Sequence, residues 1–278
     1  MSCASSGRRL AVVDGHVHVH ARVDPAQMLE HAWRNLLAAH TGACADCIPV
    51  PYLLLAEYGN ASFFERLTLE GRIAAGLWQV RPTREPTSVI VSDGSRAIVI
   101  VAGRQVVTAE GLEVLLLGTR ERFPDGLPAR DLLSATASQG VLRVLPWGVG
   151  KWWFGRGRLV RALVQEFRGP DLFVGDSGVR PWFWARPALL REAERLGTRL
   201  LSGTDPLPFA HEAMRAGTTG FTVELASWDE GHPAGALLAT LANPAARPLA
   251  FRRPERAARF VFNQVGMQLR RRSQESEK

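Results

Sequence analysis

Short apolar segments that end in polar or glycine-rich residues recur along this chain, and segments with helical spacing separate most of them. Strands that alternate with helices predict a mostly parallel sheet or barrel, because a parallel connection needs a long crossover. The carboxyl ends of parallel strands meet at one mouth, so polar side chains directly after the strands are candidates for a site. The predicted strands lie in LAVVDG, YLLLAEYG, VLRVLPWG, DLFVGDSG and TRLLSGTDP.

A segment with a different pattern, residues 88–118, consists of β-branched runs that are broken by Asp93-Gly94 and Glu110-Gly111. Such pairs are typical of hairpin turns. With 278 residues, of which 46% are hydrophobic and 22% charged, the chain can form one large soluble α/β domain. We predict that this domain spans residues 1–250. Residues 251–278 are expected to form a basic helix and tail without a separate core.

Three histidines at alternate positions, His16, His18 and His20, follow the first apolar segment. Successive side chains on a strand face opposite sides, so the three imidazoles would share one side and Val17 and Val19 the other. Neutral imidazole is the commonest protein ligand for divalent metals. The alternative is the polar face of an exposed strand, which the preceding apolar LAVV disfavours. The pattern therefore predicts a metal site.

Two acidic residues follow later predicted strands. Asp205 lies in SGTDP, directly after an apolar run near the end of the domain, and is the better candidate for a metal ligand. Asp176 also follows a strand, but a single aspartate at such a position usually caps the next helix. Glu57, at the end of the second strand, is the third acidic candidate.

The order of these motifs resembles the polymerase-and-histidinol-phosphatase (PHP) family of metal-dependent phosphoesterases. Asp14, His16 and His18 match its opening Asp-x-His-x-His strand, Asp205 matches the aspartate after its last strand, and Glu57 falls loosely at its Thr-Asp-His turn. The resemblance reaches to about residue 223. It implies a distorted, TIM-like barrel of seven strands that carries a metal cluster at its mouth.

The chain departs from the family pattern at several ligand positions. Tyr58 and Trp147 stand where family histidines are expected, and Gln105 stands where the bridging glutamate should be. An amide oxygen is a neutral and weaker ligand, so a two-metal bridge is disfavoured. We therefore predict a reduced site for one zinc, manganese or iron ion. Its predicted ligands are His16, His18, Glu57 and Asp205.

Basic residues are crowded with tryptophans in two loops that follow predicted strands, PWGVGKWWFGRGR and GVRPWFWAR. Lys151, Arg156 and Arg180 are the candidates for binding an anionic substrate, because guanidinium groups recognise phosphate or carboxylate through a planar fork. The alternative is that the tryptophans belong to the core and that the basic side chains face solvent.

The resemblance favours a PHP-like metal-dependent hydrolase that acts as a phosphoesterase. His20 or Glu57 would act as general base, and Lys151 would neutralise charge on the leaving group. One alternative is a catalytically silent PHP-fold protein that binds an anionic ligand or a protein partner. Another is an amidohydrolase-type C–N hydrolase with Lys151 as the metal-bridging lysine, but its two later histidines would have to be His211 and His232, which follow Asp205 in the wrong order.

The net charge of +7 is concentrated at the C-terminus, where residues 251–278 carry eight basic and three acidic side chains. Such a run is more often a solvated end than a nucleic-acid arm, so the expected partner is a small anionic or phosphorylated molecule. The first residues lack the apolar core of a signal peptide, and we expect a cytoplasmic protein without a membrane partner. Cys44 and Cys47 have no second pair to complete a zinc site and are expected to be reduced structural thiols.

Overall fold

The computed structural model describes residues 7–41, 43–44, 46–73, 77–137 and 139–276, with side chains up to residue 269. Thirteen strands lie in these ranges. They are β1 (Arg9–Val17), β2 (Ile48–Leu55), β3 (Arg72–Ile73), β4 (Trp78–Pro82), β5 (Ser88–Ser92), β6 (Ala97–Val101), β7 (Gly103–Val107), β8 (Glu113–Leu117), β9 (Leu142–Pro146), β10 (Leu172–Ser177), β11 (Arg199–Gly203), β12 (Thr219–Glu224) and β13 (Leu249–Arg252).

The helices of the described ranges mostly connect these strands, and the predicted strand–helix alternation is confirmed over most of the chain. They are α1 (Pro25–Thr41), α2 (Phe63–Glu70), α3 (Ala129–Thr136), α4 (Gly155–Glu166), α5 (Ala188–Arg195), α6 (Pro233–Ala242) and α7 (Ala257–Ser276), with a 3₁₀ helix at Ala210–Arg215. Asp24 accepts a hydrogen bond from the backbone N–H of Ala26 at the start of α1, as its position before Pro25 predicts.

The strands form two sheets. The first has eight strands in the order β13-β12-β1-β2-β6-β5-β4-β3, and the second has five in the order β11-β10-β9-β8-β7. Parallel pairing holds within β1-β2-β6 and within β9-β10-β11. The two predicted hairpins are β5-β6 and β7-β8, both antiparallel. The strand β13 crosses the domain boundary that was predicted at residue 250 and pairs with β12.

The expected seven-stranded TIM-like barrel is not what the described strands form, since no closed barrel is present among them. The free edge of β2 is taken by β6, which pairs with it from Tyr52↔Val99 onward. The chain then turns through Ala102 into β7, which forms an isolated bridge between Arg104 and Glu57, just beyond the end of β2. At the other seam, Asp205 N–H donates to His16 C=O at 2.8 Å. The fold is therefore mixed α/β with two sheets joined at two narrow seams.

Hydrophobic residues fill three layers. The central layer lies between the sheets, where Val13, Tyr52, Phe173 and Phe221 are fully buried, and α6 packs against it through Leu237. The other two layers lie on the outer faces of the sheets. One is covered by α1 and α2, and the other by α3, α4 and α5. Helices thus cover both outer faces, and the strand ends remain open for polar side chains.

The structure also bears on the predictions about the cysteines and about a membrane span. Cys44 and Cys47 are joined in a disulfide, with Cα atoms 5.5 Å apart, so the prediction of reduced thiols is wrong in this structure. No helix in the described ranges is both long and apolar enough to cross a bilayer.

Candidate metal centre

A β-bulge near the end of β1 aims the histidines at the site. Ala11 and Val13 face the central layer, whereas Leu10, Val12 and Val17 pack in the outer layer beneath α1. The side that faces inward therefore changes between positions 13 and 17, where the pairing of β1 with β2 shifts register. A bulge reverses which residues face each side and is frequent beside functional sites. As a result, His16 and His18 face away from α1.

Three side chains converge at this point. His16 Nε2 lies 3.0 Å from His18 Nε2, and Asp205 Oδ1 lies 3.6 Å from the first of these nitrogens and 3.4 Å from the second. All three residues are buried, and their ligand atoms lie within 4.8 Å of one another. Two imidazole nitrogens and one carboxylate oxygen at these distances could bind one divalent cation and leave a position open.

The position of Asp205 depends on an unusual backbone conformation. Its φ of 51° lies in the left-handed region, which aspartate tolerates better than most residues other than glycine. The hydrogen bond from its N–H to His16 C=O holds this conformation, and Ser177 Oγ donates to Asp205 Oδ2 at 3.3 Å. The carboxylate is therefore held by β1 on one side and by β10 on the other.

Glycines allow β1 and β11 to approach closely enough to form the site. A Cβ atom on Gly203 would overlap the backbone nitrogen and the Cβ of His16, and one on Gly15 would come within 2.7 Å of Ser202 O. Neither contact could be relieved by the end of a flexible side chain. The two glycines therefore determine the spacing between His16 and Asp205.

Replacing Gly203 with alanine should push β11 away from β1. We expect Gly203→Ala to lower the free energy of unfolding by about 1–3 kcal/mol and to weaken metal binding, because His16 and Asp205 would separate. Urea denaturation and metal titration measure the two effects. Gly155→Ala is the matched control, since a Cβ there meets open space in the first turn of α4 and should leave both properties unchanged. Equal behaviour of the two variants would contradict the close-approach argument.

Burial and charge set the protonation of these groups. Burial lowers the pKa of His16 to about 3, so this imidazole is neutral at pH 7, which is the form that binds metal. Burial alone would raise the pKa of Asp205, but His16, Lys151 and His18 outweigh it and hold this pKa well below its usual value. The site thus offers a neutral imidazole and a carboxylate without a cost for deprotonation.

Gln105 provides a test of whether the site fits a metal. Its side chain interacts with His16 and raises the pKa of that imidazole, although burial dominates. Its Oε1 atom is buried and has no hydrogen-bond partner within the described part of the chain. A buried acceptor without a donor is costly. A cation, or a water bound to one, would satisfy this oxygen, so the residues present fit a metal ion.

Lys151 brings a positive charge to the same site. Its Nζ is paired with the Glu113 carboxylate and lies 4.0 Å from Asp205 Oδ2. Glu113 follows the hairpin turn at Gly111, so β8 contributes to the site through Lys151. The sequence indicated Lys151 but assigned no role to Glu113. Their pairing depends on contacts between β8 and the loop after β9, which no local motif reveals.

Glu57 lies near the centre but is already paired. It accepts a hydrogen bond from Phe64 N–H, and Arg104 Nη1 lies 3.5 Å from its Oε2. Burial raises the pKa of this carboxyl group against the opposing effects of Phe64 and Arg104. Glu57, Arg104 and Gln105 line a cavity of about 390 Å³. Glu57 is not among the three residues whose ligand atoms converge, so its role as a fourth ligand stays a prediction.

His20 lies in a second layer behind His18. The two ring centroids are 5.5 Å apart, and His20 Nε2 lies 2.9 Å from Pro206 C=O. Because a carbonyl only accepts, Nε2 carries the proton and Nδ1 is the acceptor, 3.4 Å from Tyr58 Oη. The general-base role predicted for His20 is compatible with this tautomer and stays a prediction.

The two tryptophan-rich loops do not form one anion pocket. Arg180 binds Asp176 through two hydrogen bonds, of 3.2 and 2.6 Å, and lines a different cavity from the one beside Gln105. Arg156 donates to Gly111 C=O and Gly150 C=O. Of the three basic candidates, the structure brings only Lys151 to the triad. Arg180 is drawn away from the triad because its partner, Asp176, faces outward from β10, whereas Ser177 faces Asp205.

The tryptophans of these loops divide between core and surface. Trp147 and Trp152 are buried in the outer hydrophobic layer under α4, as the alternative to ligand binding predicted. Trp153 and Trp182 are exposed. Trp184 packs edge to face against Trp147, with ring centroids 6.2 Å apart.

Comparison with known proteins identifies solved structures with a similar fold but does not assign the chain to a family. No family model matches the sequence, and no curated protein is significantly similar to it. The structure is similar to PsfC from Pseudomonas syringae PB-5123, with a TM-score of 0.54 and 15% identity over 96% of this chain and 99% of PsfC. It is also similar to the lesion-specific endonuclease PfuEndoQ from Pyrococcus furiosus, with a TM-score of 0.54 and 10% identity over 86% of this chain.

A further solved structure shows endonuclease Q in complex with a 27-mer duplex substrate that has an abasic lesion at the active site. It matches with a TM-score of 0.51 and 10% identity over 87% of this chain. This chain spans 57–58% of the length of the two endonuclease Q chains. At such identities the similarity establishes a shared fold and nothing about activity.

Proposed function

We propose that this protein is a metal-dependent hydrolase of phosphoesters with a single divalent cation bound by His16, His18 and Asp205. The convergence of these three buried side chains carries the proposal. The resemblance to the PHP family supports it, and so does the fold shared with a lesion-specific endonuclease. A cation bound there would lower the pKa of a bound water and polarise a phosphoryl oxygen.

The residues around the triad supply the remaining chemistry. Lys151, next to Asp205, would stabilise the negative charge that develops on the phosphoryl group or the leaving oxygen. Its pairing with Glu113 holds the ammonium group in place. His20 Nδ1 is the candidate acceptor for a proton, with Tyr58 beside it. Gln105, a neutral residue at the position of a bridging glutamate, limits the site to one cation.

The cavity beside Gln105 is the proposed binding site for the substrate. It is lined by two arginines, Arg104 and Arg122, and by the carboxylates of Glu57 and Asp125, so the two guanidinium groups are its candidates for contacting a phosphate. Arg122 is half exposed and pairs with Glu65. An incoming phosphoester could exchange this surface pair for a charge-assisted contact, because exposed ion pairs contribute little stability.

The test is hydrolysis of bis(p-nitrophenyl) phosphate and of p-nitrophenyl phosphate after removal of metal and titration with Mn²⁺, Zn²⁺ or Fe²⁺. We expect cation-dependent release of nitrophenolate that saturates at about one equivalent per chain. Asp205→Asn should reduce the rate by at least about a hundredfold. Metal binding without hydrolysis of either ester would favour the alternative of a silent scaffold that binds an anionic partner.

Substitution of Lys151 should separate metal binding from catalysis. Removing the ammonium group near Asp205 removes a repulsive charge, so we expect Lys151→Met to bind the cation about tenfold more tightly. The same change should slow phosphoester hydrolysis by about a hundredfold, because charge stabilisation is lost. Isothermal titration and steady-state kinetics measure the two effects. Lys151→Arg keeps the charge and should restore most of the wild-type affinity. Weaker metal binding by Lys151→Met would instead identify Lys151 as a structural support of the triad.

A further inference from the structure

A second cavity, of about 880 Å³, lies on the opposite face of β10 and β11 from the metal triad. Asp176 lines this cavity, whereas its neighbour Ser177 donates to Asp205 on the other face. On β11, Ser202 also lines the cavity, while Leu201 packs in the central layer. The alternation of side chains on both strands therefore separates this groove from the metal centre.

The groove is strongly basic. Its two carboxylates are already engaged, since Asp176 binds Arg180 and Glu194 lies 2.6 Å from an Arg186 nitrogen. Four further arginines line it and form no ion pair with any carboxylate of the described residues. These are Arg168, Arg199, Arg247 and Arg252. Guanidinium groups that share a groove without forming ion pairs repel one another, and an anion bound between them would relieve this repulsion.

Arg252 is the clearest indication of an anion-binding site. It lies on β13, and its Nε and Nη2 atoms are buried without an acceptor anywhere in the described part of the chain. Burial and the nearby charge of Arg180 together lower the pKa of Arg252 to about 10, against the opposing effect of Asp176. Arg252 as a residue is half-buried, but burying these two donor atoms without acceptors costs stability.

A second pair of arginines lies in the same groove. Arg199 donates through Nη1 to Asn243 C=O at 2.7 Å, which fixes its guanidinium group at the wall of the groove. Burial lowers the pKa of Arg199, and the charge of Arg247 adds to this effect. Arg252 thus lies beside the Arg180–Asp176 ion pair, and Arg199 lies beside Arg247.

We propose that this groove binds a ligand with two or more phosphate groups, one near Arg180 and Arg252 and the other near Arg199 and Arg247. Guanidinium groups bind phosphate oxygens in a planar, bidentate manner, and two charge pairs match a ligand with successive phosphates. The source is either a free polyphosphate compound or the backbone of a nucleic acid. This site does not depend on the metal centre, because none of its lining residues belongs to the triad.

The experiment measures the binding of sodium tripolyphosphate and of a fluorescein-labelled oligothymidylate, at low ionic strength and with EDTA present. Tripolyphosphate at a hundredfold excess over its Kd should raise the Tm of the wild type by roughly 5–10 °C. Arg252→Gln and the exposed Arg247→Gln should each weaken binding about tenfold. Arg253→Gln removes the same charge one residue away, from an exposed side chain outside the groove, and should leave Kd within about twofold.

Each outcome bears on the proposal. Loss of oligothymidylate binding in both groove variants would identify a nucleic-acid backbone as the source, whereas a response to tripolyphosphate alone would identify a free polyphosphate. Equal weakening by Arg253→Gln, or no binding of either probe, would overturn the proposal. The double variant His16→Ala/His18→Ala should keep the tripolyphosphate response, so failure of the proposed hydrolase and failure of this groove are distinguishable.

Discussion

The double variant His16→Ala/His18→Ala is expected to contain less than about a tenth of an equivalent of transition metal, against about one equivalent in the wild type. Two of the three converging ligand atoms are lost, and a single buried carboxylate does not hold a zinc, manganese or iron ion. Elemental analysis of protein purified without added metal measures the content directly. Cation-dependent hydrolysis should be lost together with the metal.

The matched control is His31→Ala/His232→Ala, which removes two histidines outside the triad. This variant should keep about one equivalent of metal. Thermal unfolding of both variants separates loss of the site from loss of the fold. Full metal content in the His16/His18 variant, with the fold intact, would show that these two histidines do not bind the metal.

Asp14→Ala is expected to have the largest effect on stability, about 3 kcal/mol in the free energy of unfolding at pH 7.5. Asp14 is fully buried and accepts hydrogen bonds from Thr204 N–H and Gly217 N–H, both at 2.7 Å, and from Thr204 Oγ1. It thereby ties β1 to the residue before Asp205 and to the turn before β12. Each buried donor left without an acceptor costs about 1 kcal/mol or more.

The pH dependence of this effect has a definite sign. Burial raises the pKa of Asp14 to about 6, above its usual value, although Thr204 and Gly217 oppose the shift. The folded protein therefore holds this proton more tightly, and the stabilising contribution of Asp14 is largest below pH 4 and declines as pH rises to about 6. The difference between wild type and Asp14→Ala should accordingly be larger at pH 5 than at pH 7.5.

Urea denaturation at the two pH values measures this difference. Asp14→Asn keeps one acceptor oxygen and should fall between the wild type and Asp14→Ala. The exposed Asp131→Ala, in the first turn of α3, should change the free energy of unfolding by no more than about 0.5 kcal/mol. A loss in Asp14→Ala as small as this would show that the three hydrogen bonds do not secure β1.

Local patterns were sufficient for much of the fold and for naming His16, His18 and Asp205 as candidate metal ligands. The apolar runs predicted the core strands, and Asp93-Gly94 and Glu110-Gly111 predicted both hairpins. His16 and His18 share one side because side chains alternate along any extended chain. Asp205 follows a buried strand, and the carboxyl ends of parallel strands meet. These predictions depend on backbone geometry over a few residues, so the sequence by itself could name the candidate residues, although not show that they meet.

The partners of the other charged residues depend on contacts between distant segments. Glu57 is paired with Arg104, Arg180 with Asp176 and Lys151 with Glu113, so only Lys151 remains beside the triad. Each arrangement follows from the face that a strand presents after folding. The sequence showed the residue types in each case, but not their partners.

The difference between local patterns and contacts of distant segments also applies to the sheets and to the candidate metal site. The sequence by itself determined an α/β chain with histidines after its first strand, because these features follow from local periodicity. Only the tertiary structure decided that β6 takes the edge of β2, which gives two sheets in place of a barrel. It also decided, through the bulge in β1 and the close approach at Gly203, that the histidines meet Asp205. Strand pairing and register depend on which distant edges are free, and no local pattern encodes that.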